Sequence, residues 1–344
     1  MIIHLNRAEN EMSCTGENNP LLSRGCVLCY EGAKMVLFVT GRCGRDCWYC
    51  PISEKRRNGD TVYANDRVVT TPADIIDEAE MMSALGSSIT GGEPFLVLDR
   101  VVRSCRLLKE HFGPDHHIHL YTGIAPTEEQ LLPLRGLVDE IRLHPPQEIW
   151  RRILDSPYAR SVRVARRLGF SIGIEVPSLP GIETLRAILP ELDFLNINEL
   201  EWSETNAEAM RGRGLDLEDG LHNAVGGAAA LAEPLLDNPK VHFCSSGFKD
   251  SVQLRERLRR IAENTARPFE EITPDGTVVY GLLELEDGAL PSVLREHIYD
   301  IEVSGNQVEM AWWVLAELKD ELPGKKSVIE RYPNGGIILE VTPL

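Results

Sequence analysis

The stretch that most constrains this chain is Gly41 to Pro51, GRCGRDCWYCP, in which Cys43, Cys47 and Cys50 have the spacing C-x3-C-x2-C. Three thiolates on one tight loop can each hold an iron of a [4Fe-4S] cube. The fourth iron then has no protein ligand and is open to chemistry. The loop follows the apolar run Met35 to Val39, which reads as a buried strand, so it is expected at that strand's carboxyl end. A glycine turn, Thr90-Gly91-Gly92-Glu93-Pro94, follows another short strand later in the chain.

A zinc reading competes with this one. Cys26-x2-Cys29 and Cys47-x2-Cys50 are 17 residues apart, a spacing that suits a two-knuckle structural site. That reading leaves Cys43 spare, puts a strongly apolar strand between the knuckles and gives no reason for the later glycine turn. The cluster is therefore preferred.

At these residues the chain resembles the radical S-adenosylmethionine (SAM) superfamily. The run from GAKMVLFVTGRC through TGGEP to TPDG is similar, more narrowly, to an uncharacterised group related to pyruvate formate-lyase activating enzymes. The resemblance implies Cys43, Cys47 and Cys50 as cluster ligands, with Tyr49 beside the adenine of SAM. Gly91, Gly92 and Glu93, next to Thr90, are implied as the clamp on its ammonium group. It also implies a flavodoxin- or ferredoxin-type low-potential electron donor and, for an activase, a partner enzyme.

Strand-like runs near 35–40, 87–90, 117–122, 138–144, 171–176, 194–199 and 240–245 are each followed by a helical segment. Such repetition predicts an α/β fold, a partial (β/α)6 or (β/α)7 TIM-type barrel over 34–264. An N-terminal cysteine-rich arm, 1–33, precedes it and a small α+β module, 265–344, follows. The clearest helix is 72–85, with Thr71 as N-cap, Pro72 at its first position and Ile75, Ile76, Ala79, Met82 and Leu85 on one face. In the last module a strand is expected over 277–284, then a helix near 308–320 carrying Trp312 and Trp313, and two strands joined by Pro333-Asn334-Gly335-Gly336.

Functional residues belong at the carboxyl ends of the strands. Arg142 is a candidate partner for the SAM carboxylate, and Glu175, Asn198 and Glu199 are candidate pocket residues. Cys14, Cys26 and Cys29 in the arm, with Cys244, could form a second site for zinc or an auxiliary iron–sulfur cluster. Cys105 has the helical apolar spacing of a core residue. His117 and His119 supply only two same-face ligands, so they read as structural or as part of the SAM pocket.

A net charge of −17 argues against a broad nucleic-acid face, although Lys55-Arg56-Arg57 and RERLRR at 255–260 are local basic runs, read as solvated faces or ion-pair partners. No run approaches the ~18 apolar residues of a membrane span, and MIIHLNRAEN is too short an apolar opening for a signal peptide, which makes cytoplasm the default. The reading is a radical SAM enzyme that cleaves SAM reductively and abstracts hydrogen from an unidentified substrate. The alternatives are an activase installing a glycyl radical on a partner enzyme and a zinc-stabilised binding protein without catalysis.

Overall fold

The computed structural model describes residues 22–220, 222–286, 289–296 and 300–344. By its internal contacts the chain divides into two compact units, one taking in residues up to 253 apart from 81–83, the other 254–344 with 81–83.

The first unit is an α/β unit built on a parallel sheet. Its strands are β1 (Lys34–Phe38), β2 (Tyr63–Ala64), β3 (Arg67–Val68), β4 (Gly86–Thr90), β5 (His117–Thr122), β6 (Glu140–Leu143), β7 (Ser171–Pro177), β8 (Phe194–Asn198) and β9 (Val241–Cys244). They lie in the order β3-β2-β1-β4-β5-β6-β7-β8-β9. Strands β1 and β4 to β9 are parallel throughout, so each connection must cross the sheet to begin the next strand. The seven strand-like runs of the sequence are these seven strands. The antiparallel β2–β3 hairpin that extends the sheet at β1 was not foreseen, because two-residue strands carry no periodicity.

Leu37, Ile89, Leu120, Ile141, Ile174 and Ile197 have no exposed surface and form the apolar layer on one face of this sheet. Helix α2 (Pro72–Met81) and helix α3 (Leu98–Phe112) bury Ile75 and Ala79, and Val101, Cys105 and Leu108, respectively. Asp74 anchors the start of α2 by accepting hydrogen bonds from Thr70 N at 2.8 Å and Thr71 N at 2.7 Å. The helix is shorter than the periodicity suggests. Ser83 takes a positive φ of 46°, which ends the helical path, and Leu85 is 48% exposed instead of continuing the buried face.

The described part of the arm is ordered as helix α1 (Arg24–Tyr30), N-capped by Ser23. Cys26 and Leu28 are buried. A Cβ at Gly25 would come within 2.5 Å of His119 Nδ1 and 2.6 Å of Arg142 Nη2, so only glycine lets α1 lie this close to β5 and β6. Cys26-x2-Cys29 is thus one turn of helix and not a knuckle.

The second unit holds an antiparallel sheet of β10 (Glu271–Ile272), β11 (Val278–Glu284), β12 (Glu302–Ser304), β13 (Gln307–Met310), β14 (Lys325–Arg331) and β15 (Ile338–Pro343). The helix expected near 308–320 is confined to Trp312–Glu317. Its first residues pair instead as β13, where Val308 and Met310 are fully buried in strand alternation. Trp313 is 47% exposed, whereas Trp312 is partly covered and donates its indole N–H to Glu271 at 2.6 Å. The hairpin expected around Pro333 to Gly336 joins β14 to β15.

Candidate active site

The cysteine loop leaves the end of β1 and is held there by its neighbours. Beyond β4, Gly92 N donates to Thr40 O at 2.7 Å and Glu93 N to Arg42 O at 2.8 Å. A Cβ at Gly91 would sit 2.3 Å from Thr40 O, at a φ of +148°, and one at Gly92 would sit 2.3 Å from Arg42 O. Two consecutive glycines are what allow this close approach of backbone to backbone. Arg45 Nη1, inside the loop, donates to Gly123 O at 2.9 Å and His144 O at 2.6 Å, tying the loop to the ends of β5 and β6. Asn206 Nδ2 donates to Tyr49 O at 3.1 Å and Thr205 Oγ1 to Cys50 O at 3.3 Å, which adds a tether from beyond β8.

A cavity of about 680 Å³ opens over the carboxyl ends of the parallel strands. Cys43, Cys47, Cys50 and Tyr49 line it together with Thr90, Gly91, Gly92, Asn198 and Glu199. The three thiols are half-buried and free of disulfides. Three thiols facing one space beside a glycine cradle are a donor set that can hold three corners of an iron–sulfur cube and leave its fourth corner to a ligand in the cavity.

Tyr49 is fixed by a hydrogen bond whose direction can be deduced. His144 Nδ1 lies 2.8 Å from the carbonyl of Glu175, which can only accept, so Nδ1 carries the proton. Nε2 is then an acceptor, and the Tyr49 hydroxyl donates to it at 2.9 Å. Burial, helped by the nearby Arg45 guanidinium, holds His144 down at about 4, so the imidazole is neutral at physiological pH.

Three expected cofactor contacts lie off this cavity. Glu93 is 2% exposed, and its carboxylate accepts from Phe95 N at 3.0 Å, Thr122 Oγ1 at 2.8 Å and Gly123 N at 2.8 Å. It braces the turn against β5. Arg142 is likewise 2% exposed and has no donor left for a SAM carboxylate. Its Nε binds Glu140 at 2.5 Å; Nη1 binds Glu175 at 2.6 Å and Tyr121 Oη at 3.1 Å; Nη2 reaches Ser23 Oγ at 2.9 Å and Cys26 Sγ at 3.4 Å. Glu175 is committed to the same network. Burial pushes its carboxyl up, but Arg142 beside it and the amides of Asn196 and Asn198 outweigh burial and hold it at about 2.

Arg142 and Glu175 line a second cavity of about 250 Å³, together with Cys26, Cys29 and Cys244. The two cysteine pairs of the zinc reading therefore face different cavities. Cys14 lies outside the described residues. Lys55-Arg56-Arg57 is structural in part, since Arg56 stacks 4.2 Å over the Tyr63 ring and Arg57 pairs with Asp46 at 2.7 Å. The sequence reading missed Arg45 and Lys249. Lys249 lines both cavities and donates to Glu201 at 2.6 Å. The rule that function gathers after each strand reaches it, five residues past β9.

Residues 37–222 match the family model of the radical SAM superfamily, and residues 276–344 match a domain of unknown function, DUF8061. A curated protein of Methanocaldococcus jannaschii, provisionally named glycyl-radical enzyme activating enzyme MJ0021, is 35% identical over 325 residues, 89% of this chain and 86% of that protein. Among solved structures, the radical SAM methyltransferase TsrM from Kitasatospora setae, with cobalamin and a [4Fe-4S] cluster bound, aligns with a TM-score of 0.41 at 15% identity, over 67% of this chain and 60% of that one. A radical SAM methyltransferase from Sphaerobacter thermophilus aligns with a TM-score of 0.38 at 16% identity, over 55% and 63%. The chain spans less than two thirds of each of these two structures.

Proposed function

This chain belongs to the radical SAM superfamily, and from that premise we propose that Cys43, Cys47 and Cys50 hold its cluster and that the 680 Å³ cavity is where SAM and substrate meet. It is a radical SAM enzyme, with a [4Fe-4S] cluster and SAM as cofactors. When bound and reduced, the cluster supplies the electron that cleaves SAM into methionine and a 5′-deoxyadenosyl radical, which takes a hydrogen atom from the substrate.

What the protein itself contributes is position and exclusion of water. The cysteine loop is tethered at the ends of three strands and by Asn206 beyond β8, so its thiols are placed before any cofactor arrives. Carbonyl groups of the Thr90–Gly92 turn receive the ammonium group of SAM, while Glu93 holds that turn in place from behind. Tyr49, oriented by neutral His144, stands beside the adenine. Asn198 and Glu199 offer polar contacts at the tip of β8. Among these, the gathering of the three cysteines and the glycine turn on one cavity carries the reading. The seven parallel strands in chain order support a sheet that closes part of the way round as a partial barrel, with 254–344 as a separate small domain.

The reaction on the substrate has two forms. The likeness to the M. jannaschii protein over most of both chains favours an activase that abstracts hydrogen from a glycine of a partner enzyme, served by a low-potential electron donor. Action on a small substrate is the other. The test is anaerobic, dithionite-reduced protein with SAM, assayed for 5′-deoxyadenosine and methionine by chromatography. Cleavage that disappears in Cys43→Ala, Cys47→Ala and Cys50→Ala is expected. Full cleavage in any of the three would overturn the site assignment.

A further inference from the structure

We propose that Cys26, Cys29 and Cys244 hold a second iron–sulfur cluster, in the 250 Å³ cavity behind the proposed SAM site. The three thiols come from two distant parts of the chain. Cys26 and Cys29 are one turn apart on α1, and Cys244 ends β9, paired in register with Asn198 of β8. All three are free of disulfides and line the same space.

A second observation points to a ligated sulfur. Two buried N–H donors are aimed at Cys26 Sγ, Arg142 Nη2 at 3.4 Å and Asn196 Nδ2 at 3.2 Å. Arg142 and Asn196 are each 2% exposed, so neither donor has water as an alternative. A neutral thiol is a weak acceptor, whereas an iron-bound thiolate is negatively charged and accepts such bonds well. Hydrogen bonds to cluster sulfurs are also a principal means by which a protein sets a cluster's potential. Lys34 and Lys249 line the same cavity, supplying positive charge for an anionic cluster.

The size of the space favours a cluster over zinc. A single tetrahedral ion draws its ligands to one point, with bonds of about 2.3 Å to sulfur. The cysteines line a space of about 250 Å³, which gives room for the separate irons of one cluster. The two cavities share Thr90, Tyr121, Asn198 and Lys249, so a single layer of side chains divides the second cluster from the proposed SAM site.

The experiment measures iron, acid-labile sulfide and zinc per chain in the full-length protein after anaerobic reconstitution with ferrous iron and sulfide. Four proteins are compared: the natural chain, the C43A/C47A/C50A triple variant, the C26A/C29A/C244A triple variant and the single variant C244A. The natural chain should hold roughly twice the iron of either triple variant. The C43A/C47A/C50A protein should retain an iron–sulfur electron paramagnetic resonance signal, a result that depends on the second site alone; with the first site as assigned, SAM does not alter that signal. C244A guards against misfolding. With an unchanged circular dichroism spectrum, it should lose iron. Undiminished iron in C244A and in C26A/C29A/C244A would overturn the proposal, as would loss of one zinc per chain in place of iron.

Discussion

The two cysteine sets differ in how the chain brings them together. Cys43, Cys47 and Cys50 lie within eight residues, on a loop held by backbone hydrogen bonds from the turn after β4, by the Arg45 side chain donating to carbonyls at the ends of β5 and β6, and by Asn206 beyond β8. Cys26, Cys29 and Cys244 meet only because α1 packs against the sheet near β5 and β6, and what holds that contact is buried charge: Arg142 between Glu140 and Glu175, with its Nη2 donors on Ser23 and Cys26 of the arm. The first site is local in sequence, although its supports come from as far along the chain as Asn206. The second depends on the tertiary structure of the whole sheet. A loop of the first kind can be recognised in a sequence; a set of the second kind becomes visible only with the fold.

Breaking the comparison at its strongest point gives the largest effect. Cys43→Ala, Cys47→Ala or Cys50→Ala should reduce SAM cleavage to background, read as 5′-deoxyadenosine formed per hour, with urea stability little changed because these thiols are half-buried. Arg142→Met should act in the opposite sense. It leaves Glu140 and Glu175 buried without their cation, so it should cost about 3–5 kcal/mol in urea unfolding. An unchanged unfolding midpoint would mean that the buried charges do not hold α1 to the sheet.

A backbone change at the first site comes next. Gly91→Ala places a Cβ against Thr40 O at a φ that side chains rarely adopt, and should cost about 1–3 kcal/mol with a clear fall in SAM affinity. If affinity by isothermal titration is unaltered, the turn does not cradle SAM.

The dependence on pH is smaller. Burial holds His116 and His144 at about 4, below their unfolded values, so the unfolded chain binds more protons than the folded chain between about pH 6.5 and 4. Stability is fully present above this window and should decline as pH falls through it. The urea midpoint of His144→Gln should decline less over the same range. Equal declines would show that His144 is not held neutral. The smallest effect belongs to Cys105, which lines neither cavity and is buried among Val101 and Leu108 on α3. Cys105→Ala should cost about 1 kcal/mol and leave the iron content untouched; iron loss would assign it to one of the clusters.

The same contrast explains what could be read beforehand. The seven parallel strands were legible from short strand-like runs, some apolar and some alternating, that recur between helical segments, and the glycine turn because it stands directly after one of them. The β2–β3 hairpin and β12 were not, since strands of two or three residues have no period to detect. Residues 308–310 read as helix because Val308, Trp312 and Leu315 also fit helical spacing; pairing with β11 decided otherwise. Arg142 and Glu175 were correctly placed on strands, but their partners are up to 119 residues away, so neither could be seen to be saturated. Lys249 falls within the rule that function follows a strand, but five residues past β9 nothing in the sequence sets it apart from a surface lysine.

The most direct test of the central claim is electron paramagnetic resonance of the anaerobically reconstituted, dithionite-reduced protein with and without SAM. The account predicts a [4Fe-4S]1+ signal that changes shape when SAM is added and that is missing this response in C43A/C47A/C50A. A spectrum indifferent to SAM in the natural chain, or a SAM response that survives the loss of all three cysteines, would contradict it.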